Sequence, residues 1–418
     1  MEAYRSQSRI DSEKLVRYIH GGAHHYEKYR QILKECYEVG YEANLNVPEM
    51  SRHDAYNVVA ELGEKLKKVK SLNFLEETPD YFLYLTNVHV RGGVGLLMSL
   101  HLVQVLGTEE QSKSWAPKIA SREWVCCYAQ TELAHGSDVQ SLKTFATLDT
   151  KTQEWVIHTP DVEAIKWWPG DLALSATHAI VMLRLITGGV DHGVYPLFIQ
   201  LRDLKTHKAL PGLEIGDIGP KLGYATKDNG FLRFNNFRVA KDALLGRFYK
   251  IDPQGNFKTV GNPKIIYASM MESRTALIKM HCATLFRGLQ IVCRYSAVRK
   301  QFKDEEGKEI TILDYQLQKY KLMKYVSRGY AMVFARLQLD IFLKKNAEAV
   351  KKENFDYLQE SHVYLCGYKA YFTWTGMNSY MEMIQENVLL GLSKYPGCWW
   401  PWLQLLLWTH NKFDRDVL

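Results

Sequence analysis

Hydrophobic positions recur every three to four residues at both ends of this chain, and shorten to strand spacing in its middle. After Ser51, the residues Val58, Val59, Leu62, Leu66 and Val69 fall on one face, which predicts an amphipathic helix capped by Ser51. Ser12 reads as a second cap, ahead of EKLVRYIH, so residues 1–125 form a helical N-terminal domain on this pattern. From 126 to 250 the segments LKTFATLD and EWVIHT flank the turn residues Asp149 to Gln153, and HAIVMLRLI, VYPLFIQL and FLRFNNFRV follow. Each is short and bounded by Gly, Pro, Asn or Asp, and about five strands with no long helix between them predict an antiparallel barrel or sandwich.

In the remaining part, 251–418, the helical period returns: Leu322, Val326, Tyr330, Val333, Leu337 and Ile341 step by four, four, three, four and four. Two further long helices are expected near 267–300 and 357–390, and the charged stretch KKNAEAVKKENFD at 344–356 reads as a solvated loop or linker. The expected fold class is α+β: an N-terminal helical domain, a middle β domain and a helical bundle.

Composition narrows the function classes. A chain of 418 residues with 46% hydrophobic and 12% aromatic residues buries a real core, which excludes a disordered or fibrous chain. The net charge of +7 suits an anionic ligand, and no basic stripe of the kind that binds nucleic acid is present. Seven scattered cysteines without a C-x-x-C pair predict neither a disulfide framework nor a zinc site, and favour a reducing compartment. The N-terminal MEAYRSQSRIDSEKL lacks the apolar core of a secretory signal and carries acids that a transit peptide avoids. The chain shows no continuous 18-residue apolar run, so no membrane-crossing helix is expected, and it ends Asp416-Val417-Leu418 instead of in a Ser-Lys-Leu peroxisomal address. Arg91-Gly92-Gly93-Val94-Gly95 lacks the third glycine of a dinucleotide fingerprint. No Walker A sequence, G-x-S-x-G elbow or H-E-x-x-H pair occurs, and no metal site is expected.

The informative segments are Cys127-Tyr128-Ala129-Gln130-Thr131-Glu132-Leu133-Ala134-His135-Gly136-Ser137-Asp138, Lys166-Trp167-Trp168-Pro169-Gly170, Asp217-Ile218-Gly219-Pro220-Lys221-Leu222-Gly223, Asp228-Asn229-Gly230-Phe231 and Arg294-Tyr295-Ser296-Ala297-Val298-Arg299-Lys300-Gln301-Phe302. With Leu313-Asp314-Tyr315-Gln316 and GYKAYFTWT at 367–375, they run in the order and nearly the spacing of the acyl-CoA oxidases, flavoenzymes related to the acyl-CoA dehydrogenases, and the chain resembles that family over nearly its whole length.

The resemblance implies FAD as cofactor, a fatty acyl-CoA as substrate and the trans-2-enoyl thioester of fatty acid β-oxidation as product. Thr131 and Gly170 match flavin-contacting positions of the family, and Trp167-Trp168 could wall the flat ring or pack a strand on core. Arg299 and Gln301 match an element that in relatives reaches the flavin tail of a neighbouring subunit, implying a homodimer, and Ser137 stands where the family contacts acyl-CoA phosphates. The family's base, a glutamate in a Phe-Glu-Gly-Glu context, corresponds most nearly to Asp414, one methylene short.

Several positions depart from the family. Asp171 replaces a second glycine, placing a carboxylate where an unpaired charge would be costly; Ala134-His135-Gly136 replaces Gly-His-Gly; and the chain stops before the family's C-terminal helical domain. Cys398 to Trp408 carries four tryptophans and four leucines, which fits a protein partner, a membrane surface or intramolecular core. Two readings therefore stand: an acyl-CoA oxidase-like flavoprotein, or a catalytically degenerate relative serving as a structural subunit of a larger, membrane-associated complex. By resemblance the compartment is the peroxisome, with the mitochondrion as the alternative.

Overall fold

A computed structural model describes residues 2–40, 50–72, 93, 95–221, 226–260, 265–352 and 354–386. Asp414, the tryptophan-rich stretch 398–408 and the altered loop near 387–392 lie outside the described residues. The N-terminal part is helical: α1 (Glu2–Ser6), α2 (Ser12–Ile19), α3 (Ala23–Glu38), α4 (Arg52–Leu66), a π-helical turn (Gly95–Leu100) running into α5 (His101–Leu106), and α6 (Glu109–Ala120). Ser51 caps α4 as expected, accepting from the Asp54 N–H, and Val59, Leu62 and Leu66 are buried against Ile32 and Cys36 of α3. The cap of α2 is Asp11, one residue earlier than expected, whose carboxylate accepts from the Lys14 N–H.

The middle holds β1 (Cys126–Ala129), β2 (Phe145–Asp149), β3 (Glu154–His158), β4 (Lys166–Trp167), β5 (His178–Thr187), β6 (Val190–Gln200), β7 (Leu213–Asp217), β8 (Gly230–Phe234), β9 (Phe237–Ala240), β10 (Tyr249–Ile251) and β11 (Phe257–Thr259). β1, β5, β2, β3 and β9, with β6 on the other edge of β5, make a six-stranded sheet, and β4, β8 and β7 make a three-stranded one. The expected hairpin is present, with Phe145 opposite His158 and Asp149 opposite Glu154. The sheet is nonetheless mixed and not purely antiparallel, because β1 and β2 each run parallel to β5. The cause is burial on both faces of β5. Ala179, Val181, Leu183 and Leu185 enter the core between the sheets with Trp155 and Phe234, while Ile180 and Met182 pack under α5 and α6 with Val103, Leu106 and Ile119. FLRFNNFRV, read as one strand, breaks into β8 and β9 in different sheets, with Asn236 taking the left-handed φ of 50° that asparagine tolerates.

The last part is α7 (Ile265–Val298), the hairpin β12 (Lys300–Lys303) and β13 (Glu309–Thr311), α8 (Gln316–Lys351) and α9 (Leu358–Glu386). The stretch at 344–356 expected to be a loop continues α8 as far as Lys351, in keeping with its Ala, Glu and Lys content. On α8, Leu322 and Val333 are buried as read, but Ile341 is exposed and Leu339 takes its place. A step of four residues turns about 40° beyond a full helical turn, so the stripe from Leu322 to Ile341 works its way around the helix and leaves the core along a helix this long. Arg274–Val298 of α7 has a mean hydropathy of 1.2 and the length to cross a bilayer, against the expectation of no such segment. Here it is a core helix, with Ile278, Leu285, Leu289 and Val292 buried against α8 and α9. Gly288 permits the close crossing, since a Cβ there would sit 2.8 Å from the Tyr380 ring.

His178 is stacked between Trp124, at a ring-centroid distance of 4.1 Å, and Phe198, at 5.4 Å. Burial pushes its imidazole down to about 4, with the Lys118 ammonium adding to the shift. The unfolded chain would titrate it near 6.5 and so binds the proton first, which makes its contribution to stability complete above about pH 6.5 and lost as the pH falls through 4. Urea titrations from pH 7 to pH 4 should show the midpoint falling across that window, and His178→Phe should flatten the fall; an unchanged slope would exclude His178 as its source.

Candidate functional site

Three of the segments that carry the family resemblance, at 127–138, 166–170 and 228–231, meet on one ledge at the end of β1. Leaving that strand, residues 131–134 pair antiparallel with residues 163–167. Trp167 donates its N–H to the Thr131 carbonyl at 2.9 Å, Leu133 donates to Ile165 at 2.9 Å, and Ala134 donates to Glu163 at 3.1 Å. This pairing sets Thr131 directly beside the Trp167 to Gly170 turn. Both Thr131 and the two tryptophans are half-buried. Trp167 stacks on Phe231 at 6.1 Å, and Trp168 holds a φ of 86°, which a bulky residue adopts only when its surroundings enforce it.

The Asp228-Asn229-Gly230 segment supplies that enforcement. The Trp168 N–H donates to the Gly230 carbonyl at 3.0 Å, the Asn229 side-chain amide donates to the Trp168 carbonyl at 2.6 Å, and the Gly230 N–H donates to the Pro169 carbonyl at 3.1 Å. Gly230 must be glycine, because a Cβ would lie 2.7 Å from the Ala173 nitrogen. Asp228 holds the following turn by accepting from the N–H groups of Leu174 and Ser175 and from the Ser175 hydroxyl. Arg202, buried beneath, donates to the carbonyls of Leu172, Ala173 and Ala176. Burial, and the Asp171 carboxylate next to it, push the Asp228 carboxyl above its ordinary range.

Two buried ion pairs lie under the ledge. Asp171 is fully buried and pairs with Lys227 at 2.7 Å, so the carboxylate that replaces the family's glycine is compensated inside the protein. Its φ of 67° keeps the backbone shape glycine favours. The second pair, Lys166 with Glu132 at 3.0 Å, has no exposed side-chain surface on either partner. Burial drives the Lys166 ammonium down to about 8 against the pull of Glu132. Burial would raise the Glu132 carboxyl, but Lys166 and the N–H groups of Lys143 and Thr144 hold it below its usual range.

The other expected site residues sit apart from this ledge. Ser137 is exposed on the loop that leaves Glu132. Gln301 belongs to the β12–β13 hairpin and Arg299 immediately precedes it; the Arg299 carbonyl accepts from the Ile312 N–H and the Gln301 carbonyl from the Tyr315 hydroxyl, and among the described residues no hydrogen bond joins either to Thr131 or Gly170. Glu132, Lys166 and Asp228 lie inside the motif segments with no role of their own read from sequence, and Lys227 lies outside those segments. The available signal was a lysine inside the apolar run Ala164-Ile165-Lys166-Trp167-Trp168, where a charge buried in a sheet demands a partner. Among the described residues no cluster of three or more His, Cys, Asp or Glu side chains is placed to hold a metal.

Helices before and after a two-sheet β layer, with a tryptophan-walled ledge at the end of its first strand, define a protein of the acyl-CoA dehydrogenase and oxidase type. The acyl-coenzyme A oxidase N-terminal family matches residues 11–125, the acyl-CoA dehydrogenase middle domain residues 127–237, and the acyl-CoA oxidase C-alpha1 domain residues 267–386. Acyl-coenzyme A oxidase acox-1.1 of Caenorhabditis elegans is 33% identical over 383 residues, covering 89% of this chain and 56% of its own length. Peroxisomal acyl-coenzyme A oxidase 1 of Rattus norvegicus is 36% identical over 295 residues, covering 70% and 44%. The crystal structure of acyl-CoA oxidase-1 of Caenorhabditis elegans, complexed with FAD and ATP, superposes with a TM-score of 0.87 at 27% identity, covering 97% of this chain and 62% of that one. The chain belongs to the acyl-CoA oxidase family, and it spans about half the length of the curated relatives it matches.

Removing one member of the Asp171–Lys227 pair leaves a buried charge without its counter-charge, a loss of about 3–5 kcal/mol. Lys227→Met should therefore lower the urea midpoint strongly, and adding Asp171→Gly should restore most of it. A double variant no more stable than Lys227→Met would show that the two side chains are not coupled.

Proposed function

We propose that this chain carries out the FAD-dependent α,β-dehydrogenation of a fatty acyl-CoA to the trans-2-enoyl-CoA, as a step of fatty acid β-oxidation. The observation that carries this reading is the ledge itself: Thr131 and the Trp167–Gly170 turn are stitched side by side through the Thr131 carbonyl. Among the described residues the half-buried Thr131 hydroxyl has no hydrogen-bond partner, which leaves a donor beside an aromatic wall. A flat ring with polar edges fits that combination. FAD, when bound, supplies the acceptor for the hydride leaving the substrate β-carbon and passes the electron pair to oxygen, giving peroxide.

The chain's own residues supply the rest. Thr131 and Gly170 contact the ring edge and Trp168 forms its wall. Ser137, exposed on the adjoining loop, faces the phosphates of the acyl-CoA. Asp414 removes the α-proton as the hydride departs, a task that needs a carboxylate within hydrogen-bond reach of that carbon. Arg299 and Gln301 serve the cofactor of a second copy, which the projecting hairpin supports: Gln301 is exposed, and Phe302 beside it is 78% exposed. We assign residues 1–125, 126–250 and 251–418 to the three structural units of this enzyme. The peroxisome is its compartment, following relatives named for it.

The purified protein should show a flavin absorption band that bleaches anaerobically on adding a fatty acyl-CoA. A colourless protein that takes up no added FAD would end this reading. Asp414→Ala should cut peroxide production by about a hundredfold or more, the range of a lost general base. Full activity in that variant would remove Asp414 from the role.

A further inference from the structure

Lys166 is fully buried, and its ammonium donates to three acceptors: the Gln130 carbonyl at 3.1 Å, Glu132 Oε1 at 3.0 Å and the Met182 carbonyl at 2.6 Å. Those acceptors belong to three different segments: the end of β1, the loop after it, and the middle of β5. Glu132 is equally committed. Its two oxygens accept from Lys166 Nζ, from the Lys143 N–H at 2.8 Å and from the Thr144 N–H at 2.9 Å, with His135 Nδ1 at 3.4 Å from Oε2. The Glu132 N–H donates to the His135 carbonyl, and the His135 N–H donates back, closing a tight turn. The pair thus holds both ends of the loop 131–144, and it lies one residue from Thr131 on one strand and one residue from Trp167 on the other.

A buried ion pair is weak evidence for stability, because desolvation offsets the attraction, and its best use is to specify one arrangement over others. The arrangement specified here is local. Resting on the acyl-CoA oxidase reading above, we propose that Glu132 and Lys166 form a positioning clamp that fixes the Thr131 hydroxyl and the Ser137 loop against the Trp167–Gly170 turn, so that the contacts to the cofactor and to the acyl-CoA phosphates are set as one unit. Neither residue touches substrate or cofactor, and each acts through its neighbours.

The test compares Lys166→Met with the unaltered chain by amide hydrogen exchange and by FAD titration of the apoprotein, well below the melting temperature. Exchange should rise within residues 131–144 and 163–170 and stay unchanged in α7, and FAD affinity should fall about tenfold, the worth of one lost well-placed hydrogen bond. A merely structural role predicts exchange rising throughout with FAD affinity intact, and that result would overturn the clamp. Were the unaltered chain to take up no FAD, the flavin reading would fall while the exchange pattern still decided whether the loop is clamped. Glu132→Gln, which keeps the oxygen facing Lys166 and removes the charge, carries the same two readouts if Lys166→Met does not fold. The clamp is lost if Glu132→Gln leaves the exchange of 131–144 unaltered.

Discussion

An ammonium group sealed from water must find its donors' partners inside the protein, and the course of the chain around Lys166 follows from that requirement. A lone charge at that depth would be neutralised or expelled. Three acceptors can converge on Nζ only if the end of β1, its following loop and β5 come together at one point. The parallel pairing of β1 with β5 makes this possible, since it brings the Cys126–Ala129 strand alongside His178–Val181 and leaves Gln130 to turn over the lysine. The polar knot under the ledge and the mixed sheet are thus two views of one constraint. An antiparallel β1 would carry the chain away from Met182 just where its carbonyl is needed.

The legible part of this protein was local. Period and punctuation located the Phe145–His158 hairpin, the α4 stripe and the three long C-terminal helices, because each is decided by neighbours within a few turns or across one tight loop. What escaped was decided at a distance. FLRFNNFRV looks continuous, and only competition between two sheets for its halves explains the break at Asn235 and Asn236. Strand direction around β5 depends on which faces are covered, which no segment of the chain records by itself. The site divided in the same way. Thr131, Trp168 and Gly170 were picked out by resemblance to the family and lie on one ledge, whereas Glu132, Lys166 and Lys227 matter through partners 34 to 56 residues away.

Asp171 shows how a substitution that reads as damage in sequence can be neutral in space. A carboxylate in place of glycine beside the Trp167–Gly170 turn reads as a buried unpaired charge so long as its counter-charge is unknown. In the fold, Lys227 meets it at 2.7 Å, and the residue keeps the left-handed backbone of the turn. The cost is shifted to Asp228, where burial, and after it the crowding of two carboxylates around one ammonium, raises the affinity for a proton, and three hydrogen-bond donors hold the carboxylate in place. The same Asp228 braces the turn after Trp168 and precedes the Asn229 and Gly230 that hold Trp168 at positive φ. Charge compensation and backbone strain therefore reside in one short segment, so the aromatic wall and the altered turn beside it stand or fall together.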